Sequence, residues 1–245
     1  MSFWTDWKDF FFPRFCVTCG RPLLAGEKAL CVSCISGLPY TGLGNTSGNE
    51  MERCFWGRFP VERATSLFLY KKDGHVAQIL YGMKYKGRKK LCLQMGRLIA
   101  EELKPSGFFD GVDYLLPVPL HPSRKKRRGY NQSELLAQGI SMYTHIPLCT
   151  EAVCRIHNNE SQTHKSGFER WQNVSQLFRA TGAAQSLSHT HVMIVDDVLT
   201  TGATLISCAD ALAQVEGIRI SVVTLAWAKS VSYTHLRAHE TLSDL

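Results

Sequence analysis

The chain has 245 residues, 44% hydrophobic and 20% charged, with a formal net charge of +7. That composition lies close to ordinary globular usage and excludes collagen, coiled coil and wholesale disorder, while the length suits one large domain, or one domain with a small appendage. The isoelectric point near 9.0 favours anionic partners, either phosphorylated metabolites or nucleic acid.

No apolar run approaches the roughly 20 residues of a membrane span, so no membrane insertion is expected. Residues 1–15 are aromatic, but Asp6, Lys8 and Asp9 interrupt them and leave no export signal. A reducing cytoplasm is therefore expected, where nine cysteines suit thiolate metal binding better than disulfides.

Residues 1–60 carry two Cys-x-x-Cys pairs and a Gly-, Ser- and Asn-rich stretch at 42–49, with little periodicity. They read as a small metal-stapled module. Cys16, Cys19, Cys31 and Cys34 form C-x2-C-x11-C-x2-C, a tetrathiolate spacing suited to a structural Zn²⁺. The interval is shorter than the about 15 to 20 residues common in zinc ribbons, and a redox dithiol or simple packing are the alternatives. Cys54, Cys92, Cys149, Cys154 and Cys208 lie mostly in apolar segments and read as core.

Residues 61–231 read as the main domain. A strand is expected at 64–70, helices at 76–81 and 92–103, and a strand at 112–119 that Pro117 and Pro119 keep from continuing as a helix. The cations Arg124, Lys125, Lys126, Arg127 and Arg128 precede a helix at 131–143 with Leu135, Leu136, Ile140 and Tyr143 at core spacing. By default such a run is a solvated face, and contact with pyrophosphate or a DNA backbone, both recognised by Lys and Arg, is the alternative. A strand-like run at 152–156 leads into a polar loop at 157–174, which reads as a lid or binding loop. Strands at 191–195 and 218–227 flank a helix at 203–214. The alternation implies an α/β fold with a parallel sheet. Residues 232–245 have no periodic apolar face, and the string SYTHLRAHET resembles translated adapter read-through, so this tail is set aside; an ordinary frayed terminus is the alternative.

The chemistry concentrates where the strand Val192-Met193-Ile194-Val195 runs into Asp196 and Asp197, then Val198, Leu199, Thr200, Thr201, Gly202, Ala203 and Thr204. A parallel strand delivers this loop to the carboxyl edge of the sheet, and the following helix offers unpaired N–H groups to an anion. Gly202 allows close backbone approach and the threonines donate hydroxyl hydrogen bonds. Two acids beside a phosphate would repel it unless they face sugar hydroxyls or a divalent cation. Asp196 and Asp197 therefore suit a ribose diol with Mg²⁺ between sugar and pyrophosphate, at an exposed strand end with no packing role. A capped helix after a core strand explains each residue singly but not the combination.

This segment resembles the phosphoribosyl pyrophosphate motif of type I phosphoribosyltransferases. With the cysteine module before it, the chain resembles the ComF family over about residues 12–228. The further matches are Lys84-Tyr85-Lys86-Gly87, Pro117-Val118-Pro119-Leu120-His121, Arg127-Arg128-Gly129-Tyr130-Asn131-Gln132, Ser161-Gln162-Thr163 and Arg170-Trp171-Gln172-Asn173-Val174. The resemblance implies a type I phosphoribosyltransferase-like sheet flanked by helices, binding phosphoribosyl pyrophosphate or a related nucleotide. It further implies a pyrophosphate loop at Leu120, His121 and Arg124, an approach by Lys84, and a flexible hood at 157–174. Catalytic roles fall on Asp196 and Asp197. Transfer of a 5-phosphoribosyl group to an unknown acceptor is one reading. The other is a non-catalytic factor of DNA uptake that handles single-stranded DNA and meets a competence helicase or other DNA-processing protein, with stacking on Trp56 or Trp171.

Overall fold

The computed structural model describes residues 13–156 and 177–229. In chain order the described elements are α1 (Val32–Ser36), α2 (Glu50–Arg53), β1 (Val61–Leu69), α3 (His75–Tyr85), α4 (Lys89–Leu103), β2 (Tyr114–Pro117), α5 (Pro122–Arg128) and α6 (Gln132–Thr144). They continue with β3 (Val153–Arg155), β4 (Phe178–Ala180), β5 (His191–Leu199), α7 (Ala203–Ala211) and β6 (Arg219–Trp227).

Strands β1, β6, β5 and β2 form one sheet in that order, and every pairing is parallel. A sheet buried on both faces needs largely apolar strands rather than alternating ones, as in Val192–Val195 of β5 and in β6, where Ser221 and Thr224 are the buried polar exceptions. Successive side chains nevertheless part to opposite faces. Met193 and Val195 join Leu115, Val223 and Leu225 in the layer under α3, α4 and α6, while Val192, Ile194, Leu116 and Val222 enter the layer with α7, β3 and β4.

The described part of residues 1–60 shares these layers. Leu23, Leu30 and Leu38 pack in the first, and Met51 and Phe55 in the second. The chain at 39–41 also clasps β1, where the Leu69 N–H donates to the Pro39 carbonyl at 2.8 Å and the Thr41 N–H to Leu67 at 3.0 Å.

The run at 152–156 does not enter the main sheet. It pairs antiparallel with β4 as a separate two-stranded unit, with Val153 opposite Ala180 and Arg155 opposite Phe178. The expected loop at 157–174, with Gln162, Arg170 and Asn173, and the tail 232–245 lie outside the described residues. The basic run forms a helix of its own, with Pro122 opening it and Gly129, at φ +82°, closing it. Tyr143 is exposed rather than core, with Arg97 and Lys104 over its ring, and Cys54 is exposed too, whereas Cys92 and Cys208 are buried.

Helices α4 and α6 cross at Gly96 and Gly139. A Cβ on Gly96 would overlap the Leu136 carbonyl oxygen, and one on Gly139 the Leu93 carbonyl oxygen. Backbone cannot yield as a flexible side chain does. Gly139→Ala is expected to destabilise the fold by about 1–3 kcal/mol, whereas Gly182→Ala, which meets nothing within 4 Å, changes little. Chemical denaturation of the two variants checks this.

Candidate functional site

Strand β5 ends in Asp196 and Asp197, and the structure corrects one expectation about them: they are not at an exposed strand end. Asp196 is 7% exposed and Asp197 3%. Asp196 Oδ1 accepts a hydrogen bond from Ser133 Oγ of α6 at 2.8 Å and another from the Asp197 N–H at 2.9 Å. Asp197 Oδ2 lies 2.9 Å from Lys84 Nζ, near the end of α3. Two neighbouring carboxylates thus share one enclosed strand end, held from one side by a cation and from the other by a hydroxyl. Burial first, then the charge of Asp197, pushes the Asp196 carboxyl up to about 7 against the opposing pull of Ser133, the Asp197 N–H and Lys84.

The loop that follows is open where the acids are not. Thr200 and Thr201 are exposed, and Val198, Ala203 and Thr204 are half-buried. Buried Gly202 stands at the N-cap of α7 with φ +81°, a left-handed conformation that side chains other than glycine rarely adopt. The first N–H groups of α7 have no intrahelical acceptor, so the loop ends in a set of donors suited to an anion.

The segment after β2 runs beside this loop, with the Val118 N–H donating to the Val195 carbonyl at 2.9 Å. Leu120 and His121 are half-buried there, and the His121 ring accepts from the Ser123 N–H to cap α5. Helix geometry divides the five cations: Arg124 and Arg128, one turn apart, are half-buried, while Lys125, Lys126 and Arg127 are exposed. Asn131 caps α6 by accepting from the Ser133 N–H, and its own amide donates to the Val118 carbonyl at 3.0 Å. Tyr130 is buried and donates to the Met83 carbonyl, a packing role.

Two residues near the acids were missed in the sequence. Ser133 sits in the first turn of an ordinary helix, two places after its cap, and carries no motif. Arg155 lies on β3, its guanidinium held below its ordinary value by burial and by Arg124, with Asp196 acting the other way. Pairing of β3 with β4, which the sequence pattern did not reveal, is what fixes its place.

Cys16, Cys19, Cys31 and Cys34 bring their sulfurs within 4.8 Å of one another. The Cys19 and Cys31 sulfurs are 3.7 Å apart, far beyond a disulfide and close to the about 3.8 Å edge of a tetrahedron with metal–sulfur bonds of about 2.3 Å. The turns are set by Gly20, at φ +73°, and by Glu27, whose carboxylate accepts from the Leu24 and Val32 N–H groups at 2.8 Å each. Burial opposes ionisation of Cys16, yet the Cys19 N–H, the Thr18 hydroxyl and the Cys31 N–H bring it down to about 5. At Cys34 the Thr18 hydroxyl acts downward, but burial and the other three sulfurs prevail and push it up to about 12. The set can hold a metal ion.

The raised carboxyl of Asp196 has a consequence for stability. Its folded value of about 7 lies above the ordinary 3.8, so the folded state carries an unfavourable charge that is fully present above pH 7 and fades as the pH falls toward 4. Asp196→Asn, which keeps an oxygen for Ser133, is expected to melt at a higher temperature than the parent at pH 8, with the gap closing by pH 4. Thermal unfolding of both across that range checks it.

A sequence profile of the phosphoribosyl transferase domain matches residues 89–244, a span that reaches across the tail set aside above. DNA utilization protein YhgH of Escherichia coli (strain K12) is 29% identical over 211 residues, covering 82% of this chain and 91% of that protein. Competence protein F of Haemophilus influenzae is 26% identical over 231 residues, covering 89% and 99%. Competence protein ComFC of Bacillus subtilis is 35% identical over 91 residues, covering 37% and 34%. The profile spans well over half of the chain and includes β5, the acid pair and the threonine loop: this chain belongs to the phosphoribosyl transferase domain family.

Proposed function

We propose that the carboxyl end of β5 binds 5-phosphoribosyl pyrophosphate with Mg²⁺, and that the chain transfers the phosphoribosyl group to an acceptor in the cytoplasm. The observation that carries this reading is the juxtaposition of two buried acids with an open, glycine-pivoted threonine loop at a helix N-terminus. Anion donors and sugar-binding acids are thereby separated by only a few residues, as a sugar phosphate requires.

The residues fit the group. Thr200, Thr201, Thr204 and the first N–H groups of α7 would hold the 5-phosphate, with Gly202 leaving room for it. Asp196 and Asp197 would take the ribose hydroxyls and the metal ion. Leu120, His121 and Arg124 border the pyrophosphate side. When bound, Mg²⁺ supplies charge neutralisation to the departing pyrophosphate. Lys84 now neutralises Asp197 and would be released toward ligand phosphate as the acids engage the sugar. The chain's task is then orientation and electrostatic stabilisation rather than covalent chemistry.

The cysteine set is proposed to hold one Zn²⁺ in a closed, structural site. Its apolar residues pack into the core of the main domain, and the metal would fix the turns that carry the four cysteines. A second reading takes its support from the outward Lys125, Lys126 and Arg127 and from relatives named for DNA utilization and competence, and makes the chain a single-stranded DNA binder.

Three measurements test these readings. Asp196→Asn with Asp197→Asn is expected to lower donor affinity at least about 100-fold by calorimetry while circular dichroism stays native; unchanged affinity refutes the donor site. Metal analysis of the reduced protein is expected to give one zinc per chain, and a metal-free protein with four freely titrating thiols refutes it. If the basic helix tracks DNA, replacing Lys125, Lys126 and Arg127 by Ala weakens binding across all sequences and flattens the salt slope by about 0.7 for each lost contact. If the helix is only solvated, neither changes.

A further inference from the structure

A cavity of about 600 Å³ lies against the proposed donor site. Lys84 lines it and also forms the ion pair with Asp197, and Thr200 of the loop contributes to its wall, so the cavity and the donor site share a boundary. Its size suits a small organic ligand. Val17, between the first two cysteines of the knuckle, closes another part of it. The Val17 side chain lies against Gly82 of α3, where an added Cβ would stand 3.6 Å from it, an ordinary contact distance.

Its chemistry is of one kind. Tyr70, Tyr81 and Tyr85 supply aromatic surface, and Lys72, Lys84, Lys86 and Arg88 supply positive charge; among its described lining residues there is no carboxylate. Tyr81 and Tyr85 are one turn apart on α3, 54% and 67% exposed, with ring centroids 5.1 Å apart. Lys86 stands 5.7 Å from the centre of the Tyr81 ring and Arg128 5.8 Å from that of Tyr85. These rings do nothing for the core. Exposed rings flanked by cations suit a flat aromatic ligand that carries negative charge.

We propose that this cavity is the acceptor pocket, and that the acceptor is a planar aromatic ring bearing a carboxylate. The assignment of the pocket to an acceptor rests on the donor reading above. In the transfer, the bond between the sugar C1′ and the pyrophosphate oxygen breaks, and its electron pair leaves with pyrophosphate. The lone pair of a ring nitrogen then forms the new C1′–N bond. An acceptor bound as its ring-nitrogen anion brings no proton to remove, which suits a wall with four cations and no carboxylate to act as a base.

Calorimetry on the zinc-loaded full chain tests this with matched probes: uracil-6-carboxylate against uracil, and pyridine-3-carboxylate against pyridine-3-carboxamide. At least one ring carboxylate is expected to bind ten or more times tighter than its uncharged match. Tyr81→Leu with Tyr85→Leu should weaken it tenfold or more, and Lys86→Gln with Arg88→Gln should remove its advantage, both leaving the affinity for phosphoribosyl pyrophosphate with Mg²⁺ unchanged. Equal binding within both pairs, no binding of either carboxylate, or variants that bind like the parent would overturn the proposal. So would an oligothymidylate whose binding depends on the tyrosines while neither carboxylate binds. The donor, titrated alone, reports separately: carboxylate binding without any donor binding overturns the donor reading and supports the ligand class of the cavity.

Discussion

Two carboxylates adjacent in sequence are buried together at the end of the central strand, and most of the site's architecture follows from keeping them there. Unpaired, they would cost several kcal/mol in so enclosed a place. Lys84 from α3 meets that demand at Asp197 and Ser133 from α6 at Asp196, so the ends of three elements converge on one strand end. Asn131 supports this indirectly, by capping the helix that carries Ser133 and tying it to the chain after β2. The compensation is incomplete, as the raised Asp196 carboxyl testifies. An arrangement that stores like charge in the folded state is suited to a site whose ligand completes it, and functional sites are where such perturbed groups gather.

The cysteine knuckle belongs to the same economy of packing. Its apolar residues share the layer under α3, α4 and α6, and Val17 lies against the helix that delivers Lys84. A metal that fixes the turns around Cys16 and Cys19 thereby also fixes one face of the cavity beside the loop. The proposed tetrathiolate site, with no open coordination position, would thereby have a physical route to bear on ligand binding.

Much of this was legible in the sequence, for identifiable reasons. The parallel sheet followed from apolar runs separated by amphipathic ones, and so did the junction of strand and helix that carries the acids, threonines and glycine. The cysteine cluster followed from spacing alone. What escaped depends on contacts between distant segments. Nothing local tells Ser133 from any other helical serine, and Arg155 acquires its place only through a two-stranded pairing across a long insertion. Burial of the acid pair was misjudged because a strand end looks exposed until α3 and α6 are laid over it. The basic run looked like a feature preceding a helix, whereas Pro122 and Gly129 make it one, and the helical turn then sends its cations to different faces.

On the proposed donor reading, Lys84 holds a place that the donor changes: Asp197 is paired with Lys84 in the free chain, and both acids meet the sugar once the donor binds. A crystal structure of the chain grown with phosphoribosyl pyrophosphate and Mg²⁺ tests this most directly. The account predicts the 5-phosphate in the loop from Val198 to Thr204, the ribose hydroxyls toward Asp196 and Asp197, and Lys84 Nζ withdrawn from Asp197 onto ligand oxygen. A donor bound elsewhere, with the 2.9 Å ion pair intact, would contradict it.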